Sequence, residues 1–191
     1  MIYEAIVITS NTDGSAHIAP FGLREQDGNV IIAPFRPSAT LDNLLRSGCA
    51  VVNATTDVRV FAGALTGRRD WPVRRAGKVD GWVLQSALSH RELELLKVKE
   101  HDLRPELTFR IVHEATHAPF RGFNRAQAAV IEASVLVSRL HMLPIEKIES
   151  EMSFLKIALE KTAGENEHQA WQWLMDKIEN HKATMRGENL A

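Results

Sequence analysis

The chain has 191 residues, 45% hydrophobic and 25% charged, which suits one well-filled core with an appendage and excludes two large domains. A formal net charge of -1 gives no general attraction to nucleic acid or an anionic membrane, so neither is an expected partner and any anionic ligand must be held by local groups. One cysteine excludes an intrachain disulfide, no apolar run approaches the ~20 residues of a membrane span, and Met1-Ile2-Tyr3-Glu4 lacks the pattern of a secretory signal, so a cytoplasmic protein is expected.

Ala5-Ile6-Val7-Ile8-Thr9 reads as a strand, and Asp13-Gly14 behind it as a hairpin signal. His17 to Leu23 returns as a second strand, and Asp27-Gly28-Asn29 turns the chain into a third, Val30 to Ala33. Pro20 donates no hydrogen bond, so it marks a strand edge, a bulge, or a place where something other than a strand faces the backbone. Arg36-Pro37-Ser38-Ala39-Thr40 leads into a short helix, Leu41 to Arg46, with hydroxyl caps before it and Gly48 after it. Cys49 to Ala54 is a fourth strand, in which Cys49 reads as a buried structural thiol. Asp57 caps a second short helix, Val58 to Leu65. Gly67 to Trp82 is an irregular basic stretch carrying Arg68, Arg69, Arg74, Arg75 and Lys78, solvated by default but long enough to be a lid.

Leu107 to Val112 alternates apolar and polar residues and is a further strand. Leu93 to Lys99 has two readings, a strand or a helix opened by the capping box Ser89-x-x-Glu92, and a count of six strands depends on the first. From Asn124 the pattern turns helical through Ala128, Ile131, Val135 and Leu136 to Leu140. Pro144 restarts the chain, and Ile145, Ile148, Met152, Leu155 and Leu159 follow at helical steps. After Gly164, so do Trp171, Leu174, Ile178 and Met185. The last two helices predict an antiparallel hairpin docked on the barrel or on a partner, which cuts the chain into domains at 1–142 and 143–191.

A strand, a turn and a helix N-terminus make a ready anion site, because unpaired N–H groups and the positive end of the helix dipole face the ligand. Here Arg36 adds a bidentate cation and Ser38 and Thr40 add hydroxyls, with Asn43 one turn further on. The same residues also fit a plain reading in which Ser38 or Thr40 caps the helix and Arg36 is solvated. There is no Walker loop or dinucleotide fingerprint.

The run Ala19-Pro20-Phe21-Gly22, a hairpin, then Arg36-Pro37-Ser38-x-Thr40-x-x-Asn43-Leu44 resembles the flavin-binding split-barrel superfamily of flavin reductases and pyridoxamine-phosphate-oxidase-like proteins. More narrowly, Phe123-Asn124-Arg125-Ala126, Ala129-Val130-Ile131-Glu132-Ala133 and Ser138-Arg139-Leu140 resemble an uncharacterised family within it, found in methanogens and methylotrophs in the setting of tetrahydromethanopterin-linked one-carbon metabolism. The resemblance implies an α+β fold: a six-stranded antiparallel split barrel with short peripheral helices and the C-terminal helical hairpin. It also implies bound FMN, a homodimer with the flavins near the subunit interface, and a small-molecule redox partner. The phosphate contacts it implies are Arg36, Ser38 and Thr40, with Asn43 beside them. The ring would lie against the Ala19, Pro20, Phe21 and Gly22 backbone and near Asn53 and Thr55, while Asn124 and Arg125 either reach the ligand or cap a helix and form an interface ion pair.

His113-Glu114-Ala115-Thr116-His117 matches H-E-x-x-H, which in a zinc hydrolase places both histidines one helical turn apart with the glutamate as general base and Glu132 as the obvious third ligand. Here the motif continues a strand and runs into Pro119, and on a strand the histidines would stand about 13 Å apart, so no metal site is expected from it. His17 reads as a surface histidine. The expected function is an FMN-dependent oxidoreductase, with a non-catalytic FMN carrier or assembly protein as the alternative and the zinc hydrolase behind both. No residue stands out as a substrate-specific acid or base.

Overall fold

The computed structural model describes residues 1–187, which divide into two compact units. The first comprises Met1–Thr56 and Arg69–Phe120, the second Asp57–Arg68 and the helices from Arg121 onward.

The first unit is a closed barrel of six antiparallel strands. Its strands are β1 (Ile2–Ser10), β2 (Ala16–Gln26), β3 (Asn29–Ile32) and β4 (Cys49–Ala54), with the helix α1 (Ala39–Ser47) between the last two. The helix α2 (Arg59–Leu65) belongs to the second unit. A two-stranded hairpin follows, β5 (Val73–Arg75) with β6 (Trp82–Leu84), and then β7 (Ser89–Lys99) and β8 (Glu106–Thr116) complete the barrel. The order around it is β1-β2-β3-β8-β7-β4, closed where Ile6 to Ile8 pair with Val51 to Asn53. Alternation of side chains sends Ala5, Val7, Leu23, Val30, Ile32, Ala50, Val52, Leu93, Leu107 and Phe109 into one core, and Leu41 and Leu44 of α1 join them. Burying each leucine contributes about 1.5–3 kcal/mol, which anchors α1 to the barrel.

Leu93 to Lys99 lies within a strand, so the capping-box pattern at Ser89-x-x-Glu92 builds no helix. Glu92 has a distant partner instead, described below, and long-range pairing with β4 and β8 outweighs the local helix signal. Pro20 pairs in register with Ile6 of β1, while β3 reaches only Arg24 to Gln26 on the other side of β2. Residues 16–23 of β2 therefore present an edge unpaired by β3, which is where a proline costs least. The basic stretch is not wholly irregular, since β5 lies within it and β6 begins at its last residue.

The second unit contains α2, α3 (Arg125–Ser138), α4 (Ile145–Thr162) and α5 (Glu165–Met185). Its core joins Ala126, Val130, Ala133 and Val137 of α3 to Ile148, Met152 and Leu159 of α4 and to Trp171, Leu174 and Ile178 of α5. α3 thus belongs with the later helices, which moves the division from the expected 142/143 to 120/121 and adds the short helix α2. The reason is its small-residue face, which admits close neighbours on both sides. α4 and α5 run antiparallel, with Lys182 near the end of α5 bound to Glu149 near the start of α4 at 2.7 Å. Between them lies a groove of about 730 Å³ lined by Met152, Lys156, Trp171 and Met175, so each closes mainly on α3. Among the described residues no helix is long and apolar enough to cross a membrane.

Candidate functional site

The turn between β3 and α1 builds a partly open polar edge. Ser38, extended at φ -157°, is the N-cap of α1, and its hydroxyl accepts the Leu41 N–H at 3.3 Å. At the other end Gly48, at φ 65°, donates to the Leu44 carbonyl and closes the helix in a conformation that favours glycine. The first N–H groups of α1 have no partner within the helix, and the positive end of its dipole lies at this turn. Thr40 is buried, and its Oγ1 lies 3.0 Å from His17 Nε2. His17 comes from β2 and is half-buried, not a surface residue as its sequence context suggests. Burial, and then the positive charge of Arg69, hold its pKa below the usual histidine value.

Arg36 lies at the rim, exposed, and donates to Glu100 at 2.7 Å. A solvent-exposed pair of this kind is worth about 0–1 kcal/mol, so an anion with better geometry can take the guanidinium from Glu100. The arrangement fits a phosphate: a helix N-terminus, two hydroxyls and an imidazole, with Arg36 just before the helix.

Three residues implied by the resemblance are committed elsewhere. Asn43 is buried; its Nδ2 donates to Thr9 Oγ1 at 3.1 Å and Asn11 Oδ1 at 3.0 Å, and its Oδ1 accepts from Arg46 at 3.3 Å. Asn53 is buried; its Nδ2 donates to the Val51 carbonyl at 3.2 Å and its Oδ1 accepts the Leu84 N–H at 2.9 Å, which pins β6 to β4. Asn124 caps α3, accepting from Ala126 at 2.8 Å and Gln127 at 3.2 Å while donating to the Thr162 carbonyl at 2.9 Å. These amides are structural, because every polar end already has a partner inside the fold. Arg125 is the exposed first residue of α3, and Thr55 donates to the Ser86 carbonyl at 2.9 Å. Ala19, Pro20, Phe21 and Gly22 lie half-buried on the free edge of β2. Gly22 has a packing reason of its own, since a Cβ there would meet Ile2 Cγ2 at 2.9 Å and Glu4 Oε1 at 3.1 Å.

A second polar cluster lies where β7 pairs with β8. Glu92, 0% exposed, accepts three successive backbone N–H groups from the loop between β5 and β6: Gly77 at 2.8 Å, Lys78 at 2.6 Å and Val79 at 2.9 Å. Burial alone would raise its pKa, but these donors, followed by His90, outweigh burial and hold it below the usual carboxylate value. His90, 4% exposed, has Nε2 3.3 Å from Glu92 Oε1 and Nδ1 2.8 Å from His117 Nε2. Its ring centroid lies 5.6 Å from that of His113 and 5.0 Å from that of His117. The H-E-x-x-H segment is strand through Thr116, continuing the alternating stretch before it, so the one-turn geometry of a zinc hydrolase is not formed. Both of its histidines instead flank His90, which spacing along one segment could not reveal. The available signal was parity: His90 and Glu92 share a face of β7, and His113 of β8 pairs opposite Glu92, with His117 just past the end of that strand.

The barrel, its order and the polar turn after β3 define an α+β protein of the flavin-binding barrel fold. The chain belongs to the DUF447 family, described as proteins of unknown function: residues 3–118 match its N-terminal domain and residues 124–176 its following part. It is similar in structure to an FMN-bound protein of the same family from Methanosarcina mazei, at TM-score 0.80 and 20% identity over 92% of this chain and 94% of that one. Over the barrel it is similar to a 2-nitrobenzoate 2-nitroreductase from Pseudomonas fluorescens, at TM-score 0.51 and 20% identity, covering 60% of this chain and 64% of that one. The flavin reductase component of a bacterial two-component tryptophan halogenase gives TM-score 0.52 and 18% identity, covering 62% and 82%. No curated protein matches the chain.

Proposed function

We propose that the chain is an FMN-binding flavoprotein that acts as an oxidoreductase, a homodimer working in the cytoplasm, with the FMN phosphate at the N-terminus of α1. The observation that carries this reading is the meeting of Ser38, Thr40 and His17 at one helix N-terminus, with Arg36 three residues before the helix. The FMN-bound DUF447 structure, similar over 92% of the chain, supports the choice of anion. The α1 amides and the hydroxyls hold phosphate oxygens, Arg36 offsets its charge, and the free backbone of β2 at Ala19 to Gly22 flanks the ring. Bound there, the flavin supplies hydride and single-electron transfer. The redox partner is a small molecule, a nicotinamide or a reduced pterin, and the family resemblance favours tetrahydromethanopterin-linked one-carbon chemistry.

The visible absorbance of the purified protein tests the cofactor, with stoichiometric flavin released as FMN as the expected result. A colourless protein that takes up no FMN overturns the reading. Anaerobic titration with NADH, NADPH and reduced pterins tests turnover by bleaching of the flavin. If no donor bleaches it, the protein is a carrier or assembly partner and not an oxidoreductase. Light scattering on the same sample tests the dimer.

A further inference from the structure

We propose that the paired strands β7 and β8 hold a divalent metal ion of the zinc class, ligated by His90, Glu92 and His113. Alternation puts His90 and Glu92 on one face of β7, and the register places His113 of β8 opposite Glu92. One donor atom from each of the three lies within 4.8 Å of the other two. His90 Nε2 and Glu92 Oε1 stand 3.3 Å apart, and two ligands on a tetrahedral zinc with bonds of about 2.0–2.1 Å stand about 3.3–3.4 Å apart.

The surrounding hydrogen bonds support the same assignment. Arg74 lies 3.0 Å from His117 Nε2 and can only donate, so that nitrogen is an acceptor. His90 Nδ1 lies 2.8 Å from the same atom, so the His90 ring is held in place from that side. His90 Nε2 is left facing a carboxylate oxygen that already accepts the Gly77 N–H. A metal ion placed between these two atoms would be ligated by both. A histidine that binds metal through one nitrogen and donates from the other, beside a carboxylate held by backbone N–H groups, is the usual support around a metal ligand. Glu92 Oε2 accepts from Lys78 and Val79, so the carboxylate is already oriented.

Two imidazoles and one carboxylate select a borderline ion such as Zn²⁺ over Ca²⁺ or Mg²⁺, which prefer oxygen alone. Three protein ligands leave a fourth position for water or another small ligand. An ion there would join both barrel strands, through Glu92, to the loop carrying Gly77, Lys78 and Val79. This site is independent of the flavin reading, and it uses neither the spacing nor the glutamate of the H-E-x-x-H match.

The test is elemental analysis of protein purified without chelator, with flavin absorbance read on the same sample. Stoichiometric zinc is expected, or uptake of Zn²⁺ by the metal-free protein, with Co²⁺ exchange giving visible ligand-field bands. His113→Ala should lose the ion and the cobalt bands, whereas His141→Ala, on the helical unit, should keep both. Should His113→Ala fail to fold, His117→Ala removes only a supporting acceptor and should weaken metal binding about 10–100-fold. Protein that takes up neither Zn²⁺ nor Co²⁺, or His113→Ala that retains stoichiometric metal, overturns the proposal. Flavin content is scored separately, so loss of FMN with metal retained counts against the FMN reading alone.

Discussion

At the N-terminus of α1, polar groups gather at an accessible edge and keep spare capacity: Arg36 has only an exposed carboxylate, and the first helix amides have no helical partner. On β7, polar groups gather under a loop and spend their capacity on one another. Glu92 takes three backbone N–H groups, and His90 faces both Glu92 and His117. Both regions concentrate charge, yet the first can exchange a weak pair for a phosphate at little cost, whereas the second loses much when one member is removed. An open site of this kind suits a ligand that comes and goes; a closed one suits an ion that stays, or a structural clamp.

The largest expected effect lies in the closed region. Glu92→Ala leaves three backbone donors and His90 facing an emptied buried position, and should cost about 3–5 kcal/mol of stability in urea titration. FMN affinity per folded molecule should be unchanged, and a small stability loss would remove the contrast between the regions. Next is Arg36→Ala, which should weaken FMN binding by about 1.5–3 kcal/mol in a fluorescence titration and leave stability almost untouched. Unchanged affinity would move the phosphate towards Arg69. Ser38→Ala removes the α1 cap and should cost about 1 kcal/mol of stability, together with a weaker grip on phosphate.

The smallest effect is one of pH. His17 and His117 both titrate below the usual histidine value in the folded protein, through burial first and then the charge of Arg69 or Arg74 respectively. The folded state therefore binds fewer protons than the unfolded one between the lowered values and about 6.5. Stability should fall as pH drops through that window and recover above it. A melting series on His17→Asn should show a shallower slope than the parent, and an identical slope would place His17 in solvent after all.

Legibility in the sequence followed the range of each interaction. Strand alternation, the Gly48 stop and the Ser38 and Asn124 caps depend on neighbours within a few residues, so they could be placed without coordinates. Asn43 was legible as a polar residue beside a polar turn and Asn53 only through the resemblance, and neither as a buried amide spent on Thr9, Asn11 or Leu84. The strand at Leu93 stayed ambiguous because Glu92 imitates a capping residue until its partners, 13 to 15 positions earlier in the chain, are seen.

The sequence by itself determined strands followed by helices and a capped turn after the third strand, since periodicity, turn chemistry and capping are local, while the barrel was implied only by the family resemblance. Tertiary structure alone decided that His17 backs Thr40, that α3 joins the C-terminal helices, and that His90, Glu92 and His113 meet on two strands. Those outcomes depend on strand register and on which faces are buried. Register is set by the whole barrel closing at once, and no short segment carries that information.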